Sequence, residues 1–295
     1  MKVLNFGSLN VDYVYDVPHF VMPGETITSF ARAIFAGGKG LNQSIAAKKA
    51  GVDIYHAGSV GSDGDILLNA LREANVNSDF VLKREDMPSG HTVIQVDPDG
   101  QNCIIVFGGT NRQIPKKQMD ETLAYFEAGD FLLLQNELND IAYLIDKAYE
   151  KGMQIVLNPS PIDASINGLP LEKVKYFIVN EIEGAQIAGT DVIDEIIPAI
   201  AQKYPHANIL MTLGSQGARY YDGHKTYTQG VFPVKAVDTT AAGDTFLGYF
   251  VYGVSTGLPI EDTLRLAARA SSITVSKKGA AASIPTLNIV LAQEK

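Results

Sequence analysis

Short apolar runs and amphipathic stretches alternate along the chain, and their two periods predict its elements. Phe131-Leu132-Leu133-Leu134 and Ile155-Val156-Leu157 are unbroken by polar residues, the pattern of strands buried on both faces. Similar β-rich runs predict strands at 2–7, 53–58, 130–135, 154–157, 176–179 and 208–213. Between them, apolar residues at helical spacing, such as Ile141, Leu144, Ile145 and Ala148 or Leu264, Ala267 and Ala268, predict helices. This alternation specifies an α/β fold with a mostly parallel central sheet flanked by helices. No repeat, low-complexity segment or linker interrupts it, so one domain spanning 1–295 is expected.

Two stretches break the alternation. The runs 91–97 and 101–107 flank Pro98-Asp99-Gly100, and Asp-Gly between β-rich segments signals a hairpin. The runs 10–17 and 26–35 also read as strands, joined through Pro23-Gly24. Four strands without intervening helices predict a small antiparallel sheet beside the main one, serving as a lid, a dimer surface or both.

Composition narrows the classes of function. With 46% hydrophobic and 19% charged residues, the 295-residue chain is no disordered segment. Its 24 Lys and Arg against 33 Asp and Glu, a net charge of −9, disfavour nucleic acid, whose phosphates need clustered cations. Cys103 is the single cysteine, so no intrachain disulfide is expected. The first residues lack an apolar signal region, and the longest uncharged run that approaches membrane length, 245–260, holds three glycines and a proline. A soluble cytoplasmic protein with no membrane partner is expected.

Four segments could carry chemistry, and each has an ordinary structural alternative. Gly37-Gly38-Lys39-Gly40-Leu41-Asn42-Gln43 is not a P-loop, since Gly40 stands where a Mg²⁺-binding hydroxyl belongs, and it is not G-x-G-x-x-G. It is a glycine-rich turn opening a helix at 44–50, suited to bring amides near a polar ligand or simply to turn the chain. In Asp238-Thr239-Thr240-Ala241-Ala242-Gly243-Asp244-Thr245-Phe246, three small residues at a predicted helix N-terminus let backbone amides reach a phosphate, with Asp244 facing the same ligand as a base. The alternative makes Thr240 or Asp244 a plain N-cap. Asn180 and Glu183, three apart after a strand, suit either a hydrated Mg²⁺ ion or a capping box. Thr212-Leu213-Gly214-Ser215-Gln216-Gly217 is either a nucleotide-binding strand end or a tight turn into a hairpin arm at 218–221. The five histidines form no zinc motif.

In this order, the segments resemble the PfkB family of sugar and nucleoside kinases, its ribokinase branch in particular, along essentially the whole chain. The resemblance rests on Gly7-Ser8-Leu9-Asn10-Val11-Asp12, the Gly37–Gln43 loop, Gln135-Asn136-Glu137, Asn180-x-x-Glu183, the 212–217 turn, the 238–246 segment and Lys278-Gly279-Ala280-x-x-Ser283-Ile284-Pro285. It implies a ribokinase-like fold whose four-stranded sheet is a lid over the sugar, packed on a partner's lid in a homodimer. It implies ATP-dependent phosphorylation of a sugar, ribose first, with 2-deoxyribose, another pentose or a nucleoside as alternatives; a non-catalytic sensor on the same scaffold is the contrasting reading. Asn10, Asp12, Gly38, Lys39, Gly40, Asn42 and Glu137 would hold the sugar, Asp244 would be the base, and the amides of Ala241, Ala242 and Gly243 the anion hole. ATP would meet Asn180, Thr212, Gly214, Ser215, Gly217, Gly243 and Ala268, with Glu183 positioning Mg²⁺. An activating K⁺ would lie among Asp238, Thr240, Thr274, Lys277, Gly279 and Ser283, several acting through carbonyls.

Overall fold

The computed structural model describes residues 1–293. A nine-stranded sheet runs in the order β13-β12-β11-β10-β9-β8-β1-β4-β5. Its strands are β1 (Val3–Phe6), β4 (Ile54–Val60), β5 (Asn77–Lys83), β8 (Phe131–Gln135), β9 (Gln154–Asn158), β10 (Tyr176–Asn180), β11 (Asn208–Thr212), β12 (Ala218–Tyr221) and β13 (Thr226–Gln229). Every neighbouring pair from β11 to β5 is parallel, and β12 and β13 add an antiparallel hairpin at the other edge. The six predicted strands are all present, within two residues at either end. Those the sequence reading missed, β5 and β13, are edge strands with half their residues exposed or nearly so, and they lack the unbroken apolar run that marks a central strand.

Alternate residues of one strand enter different cores, as the two-residue period requires. In β8, Phe131 and Leu133 join one cluster while Leu132 and Leu134 join the other. The first cluster is covered by α1 (Lys39–Ala50), α2 (Asp65–Glu73), α7 (Ala242–Thr256), α8 (Ile260–Val275) and α9 (Leu287–Ala292). The second is covered by α3 (Lys116–Ala124), α4 (Ile141–Glu150), α5 (Glu181–Ala188) and α6 (Ile193–Lys203). Among the described residues, no helix is long and apolar enough to cross a membrane.

The second sheet has four strands in the order β3-β2-β6-β7, with β2 (Asn10–Asp16), β3 (Ala31–Gly37), β6 (Gly90–Val96) and β7 (Asn102–Phe107). It differs from the expected sheet in two ways. Its central pair, β2 and β6, is parallel, because both strands leave the carboxyl edge of the main sheet in step, Asn10 opposite Gly90. The strand expected at 26–35 begins at Ala31 and runs on to Gly37, since β2 ends at Asp16 and offers 26–30 no continuing ladder.

Chain order brings the sites together. From β1 the connections run outward in both directions, to β4 and β5 on one side and from β8 onward on the other, so β1 and β8 form the switch point where ligands bind in open α/β sheets. The helices that begin there, α1 and α7, touch backbone to backbone. A side-chain carbon on Gly248 would lie 2.4 Å from Cβ of Ala46 and 2.6 Å from the Ala47 nitrogen. A glycine inside a helix costs roughly 0.5–1 kcal/mol relative to alanine, and this close approach is what it permits. Gly248→Val is expected to lower unfolding free energy by about 3 kcal/mol through overpacking, measured by urea denaturation.

Candidate active site

Polar residues terminate otherwise apolar strands at the carboxyl edge. Gln135, Asn158, Asn180 and Thr212 close β8, β9, β10 and β11. Asn158, Asn180, Glu183 and Thr212 line a cleft of about 210 Å³ together with Lys39, Ser160, Thr239, Ala241, Ala242, Gly243 and Asp244.

The glycine loop is shaped by what approaches it. A Cβ on Gly37 would stand 1.8 Å from Oδ2 of Asp12, so glycine leaves room for that carboxylate. Gly38 caps α1, which begins at Lys39 and not at the expected residue 44, and Gly40 lies against the Gly7-Ser8 turn. Thr92 of β6 donates to Asp12 Oδ1 at 2.7 Å, and Asn111 donates to Asn10 Oδ1 at 2.8 Å. The Ser8 hydroxyl donates to Glu137 Oε2.

Asp244 stands in the first turn of α7. Asn42 Nδ2 donates to its Oδ2 at 3.3 Å and Gln43 Nε2 to its Oδ1 at 3.0 Å. Burial pushes its carboxyl above the usual carboxylate range, against the downward pull of Lys39, Gln43 and Asn42. Burial likewise raises Glu137, which the Ser8 hydrogen bond and Lys39 partly counter while the Asp244 charge adds to the rise. Asp12 is raised by burial too, with the Thr92 hydrogen bond opposing. Lys39 is the one cation lining the cleft among the described residues.

Of the three expected anion-hole amides, Ala242 N–H donates to the Thr239 carbonyl at 3.2 Å. Those of Ala241 and Gly243 have no acceptor among the described residues. Ala241 itself caps the helix in the left-handed conformation, with φ 60°. At Asn180 the capping box forms in full: Asn180 Oδ1 accepts the Glu183 amide at 2.8 Å, and Glu183 Oε2 accepts the Asn180 amide at 3.1 Å. The capping box is therefore present, and it leaves the other Glu183 oxygen without a partner among the described residues. The 212–217 segment makes both a strand end and a turn into β12, with Gly214 and Ser215 exposed in a short 3₁₀ turn. Gly217 packs against the Gln229 carbonyl. Ala268 is buried in the core among α8 residues, outside the cleft lining.

Before α7 and after α8, Asp238 ties two segments together, accepting from Thr240 N–H and Gly279 N–H at 2.9 Å each. Burial raises its pKa, but those bonds outweigh it and hold the carboxyl below its ordinary range. The Thr274 hydroxyl is spent inside the α7–α8 contact, on the Ala270 carbonyl and against Thr245. Its carbonyl accepts from Lys277, and the Ser283 hydroxyl donates to the Ala280 carbonyl. The Ser283 hydroxyl gives up only its proton, so its oxygen lone pairs and the Thr274 and Ser283 carbonyls keep acceptor capacity. The Lys49 ammonium anchors the same loop by donating to the Ala281 and Ile284 carbonyls at 3.0 and 2.8 Å.

Sequence reasoning missed Ser8, Thr92, Asn158 and Ser160 as site residues. For Asn158 there was a usable signal, a polar residue ending a buried strand; for Thr92 there was none, because its partner Asp12 is 80 positions away.

A carboxylate beside free helix-terminal amides, at the carboxyl edge of a parallel sheet, suits a phosphotransferase, whose catalysis is mostly positioning and charge stabilisation. Residues 1–287 match the model of the pfkB family carbohydrate kinases, and the chain belongs to that family. Ribokinase of Staphylococcus aureus (strain COL) is 33% identical, covering 98% of each chain. Deoxyribokinase of Salmonella typhi is 28% identical over 97% of this chain and 96% of its own. The solved structure of Arabidopsis thaliana ribokinase complexed with ribose and ATP superposes with a TM-score of 0.89 at 30% identity, covering 100% of this chain and 98% of that one.

The raised carboxyl of Asp244 has a stability consequence with a definite sign. Its charged form costs free energy in the folded state, so the cost is present above the folded pKa and is relieved as pH falls through it. Asp244→Asn removes the charge, and Asn42, whose Oδ1 lacks a partner, can turn that oxygen to the new amide. The variant is expected to melt above the wild type at pH 7, with the difference shrinking on acidification, as followed by calorimetry.

Proposed function

We propose that this chain is an ATP-dependent ribose kinase acting in the cytoplasm, converting D-ribose and ATP to D-ribose 5-phosphate and ADP. The carrying observation is the Asp244 carboxylate, set at a helix N-terminus with two unspent amides and reached by Asn42 and Gln43 from the glycine loop. Ribose is favoured over other acceptors by the ribokinase names of relatives at 33% identity, against 28% for the deoxyribokinase.

In this reading Asn10, Asp12, Gly38, Lys39, Gly40, Asn42 and Glu137 hold the sugar so that its hydroxyl oxygen faces the γ-phosphorus. Asp244 accepts the hydroxyl proton as the new P–O bond forms and the bond to ADP breaks. A weak base suffices because the transferred group passes through a loose transition state and the proton leaves late. Charge on the phosphoryl oxygens meets the Ala241 and Gly243 amides, the helix dipole and Lys39, and the long Ala242 bond to Thr239 can be exchanged for the ligand. Asn180, Thr212, Gly214, Ser215 and Gly217 border the nucleotide. The free Glu183 oxygen fits a Mg²⁺ ion held through its waters, which would neutralise phosphate charge. Asp238, Thr240 and Gly279, with carbonyls of Thr274, Lys277 and Ser283, fit K⁺ as an electrostatic support for the neighbouring helix terminus.

The four-stranded sheet is the lid, and we assign a homodimer to it. On β7 the four consecutive residues Ile104, Ile105, Val106 and Phe107 are 49–63% exposed, as is Phe35 of β3 at 53%. An apolar edge strand of this kind is a pairing hazard unless a partner covers it. Val106→Lys is expected to convert a dimer to a monomer in light scattering.

A coupled ADP assay over ribose, 2-deoxyribose, other pentoses and nucleosides, with and without K⁺, tests the activity. Ribose is expected to give the highest kcat/KM, with K⁺ raising the rate. No sugar-dependent ADP from any acceptor would overturn the reading. Asp244→Asn is expected to lower kcat by about 10²–10⁴ while changing the sugar KM little.

A further inference from the structure

Five polar side chains are fully buried beneath the site: Asn5 of β1, Gln43 and Ser44 of α1, His56 of β4 and Gln135 of β8. They form one hydrogen-bonded chain. Gln43 Nε2 donates to Asp244 Oδ1 and to Asn158 Oδ1, both at 3.0 Å. Gln135 Nε2 donates to Gln43 Oε1 at 2.7 Å and to Asn5 Oδ1 at 3.0 Å. Asn5 Nδ2 donates to the Gly40 carbonyl and to Ser44 Oγ, both at 2.8 Å, and Ser44 Oγ lies 2.7 Å from His56 Nδ1.

We propose that Gln43 is a positioning residue for Asp244, and that Gln135 acts through it by holding its carboxamide in one orientation.

The orientation follows from an acceptor that cannot be reversed. A backbone carbonyl only accepts, so Asn5 must turn its NH₂ to Gly40. Its oxygen then faces Gln135, which must present NH₂ in turn. Gln43 can therefore offer Gln135 only its oxygen, and its own NH₂ is left for Asp244 and Asn158. At the far end, Ser44 accepts from Asn5, so its hydroxyl proton goes to His56 Nδ1. The ring is neutral, since burial lowers its pKa to about 4, and so it can accept. The Gly40 carbonyl in the glycine loop thus dictates which atom of Gln43 meets the carboxylate 201 positions further along the chain.

The arrangement is costly. Gln135 Oε1 is buried without a partner among the described residues, and leaving a buried polar atom unsatisfied is destabilising. Gly7 makes space for it, since a Cβ there would stand 2.7 Å from Gln135 Oε1. An apolar core would avoid these costs, whereas the polar chain sets the donor that faces Asp244.

The inference rests on Asp244 being the base, and the test separates the two. Purified Gln43→Met, Gln135→Met and the double variant are assayed with ribose and ATP across pH, beside Asp244→Asn. Gln43→Met is expected to lose about 10²-fold in kcat and Gln135→Met about 10-fold, with both KM values within about 3-fold. The acid limb of kcat/KM should move to higher pH in both, because Gln43→Met removes a donor to the ionised carboxylate and Gln135→Met frees that donor's carboxamide to turn away; Lys39 and Glu137, the other charges facing Asp244, are unchanged. The double variant should be no slower than Gln43→Met alone, since Gln135 acts only through Gln43. If Gln135→Met keeps wild-type kcat and acid limb, or if the two losses multiply, the proposal fails. Should a methionine variant not fold, the near-isosteric Gln43→Glu sets a second carboxyl against Asp244 and should raise the acid limb by about one pH unit or more; an unmoved limb overturns the proposal. An active Asp244→Asn would remove the base and this inference together, whereas an inactive Asp244→Asn with unperturbed glutamine variants would remove this inference alone.

Discussion

The backbones of α1 and α7 approach closely where Gly248 lies over Ala46 and Ala47, with only the Ala46 methyl group at the contact. Each helix begins at the carboxyl edge of the sheet, α1 with Lys39 and α7 with Ala242, so their separation sets the distance from the glycine loop to Asp244. The Asn42 and Gln43 hydrogen bonds to Asp244 span that same gap, at 3.3 and 3.0 Å, and tolerate little displacement. Packing of small residues in the core and polar geometry at the cleft are two ends of one contact. Side chains with no chemistry of their own thereby control the groups that have it.

A −9 chain that handles a polyphosphate must find positive potential without many cations. The cleft supplies it through unspent amides at the start of α7 and through Lys39. Three carboxyls, Asp12, Glu137 and Asp244, are all pushed up by burial, so the site holds negative charge where desolvation opposes it. Stability is given up there for placement, as at many functional sites. Asp238 works the other way: its hydrogen bonds to Thr240 and Gly279 favour its charge and lock a loop. Acidification therefore relieves the first group and loosens the second.

Much of this was legible in the chain. Unbroken apolar runs such as Phe131–Leu134 marked the central strands, because a strand buried on both faces admits no polar alternation. The Asp99-Gly100 hairpin and the Ala241-Ala242-Gly243 helix start were readable for local reasons, turn chemistry and absent side chains. The edge strands β5 and β13 were not, since exposure on one side erases the apolar signature. The parallel pairing of β2 with β6 was also hidden, because it follows from where two distant hairpins leave the main sheet and not from either hairpin alone.

By itself, the sequence determined the order of the central strands, the order of the motifs, and the residue types at each turn, all of them properties of neighbours within a few positions. Tertiary structure alone decided which distant groups share an environment. It set Thr92 on Asp12, Ser8 on Glu137 and Gln135 on Gln43, and it engaged the Thr274 hydroxyl inside the α7–α8 contact. The reason is physical: a buried polar atom takes whichever partner the packing of separate elements brings within about 3 Å, and nothing local to either residue records that choice.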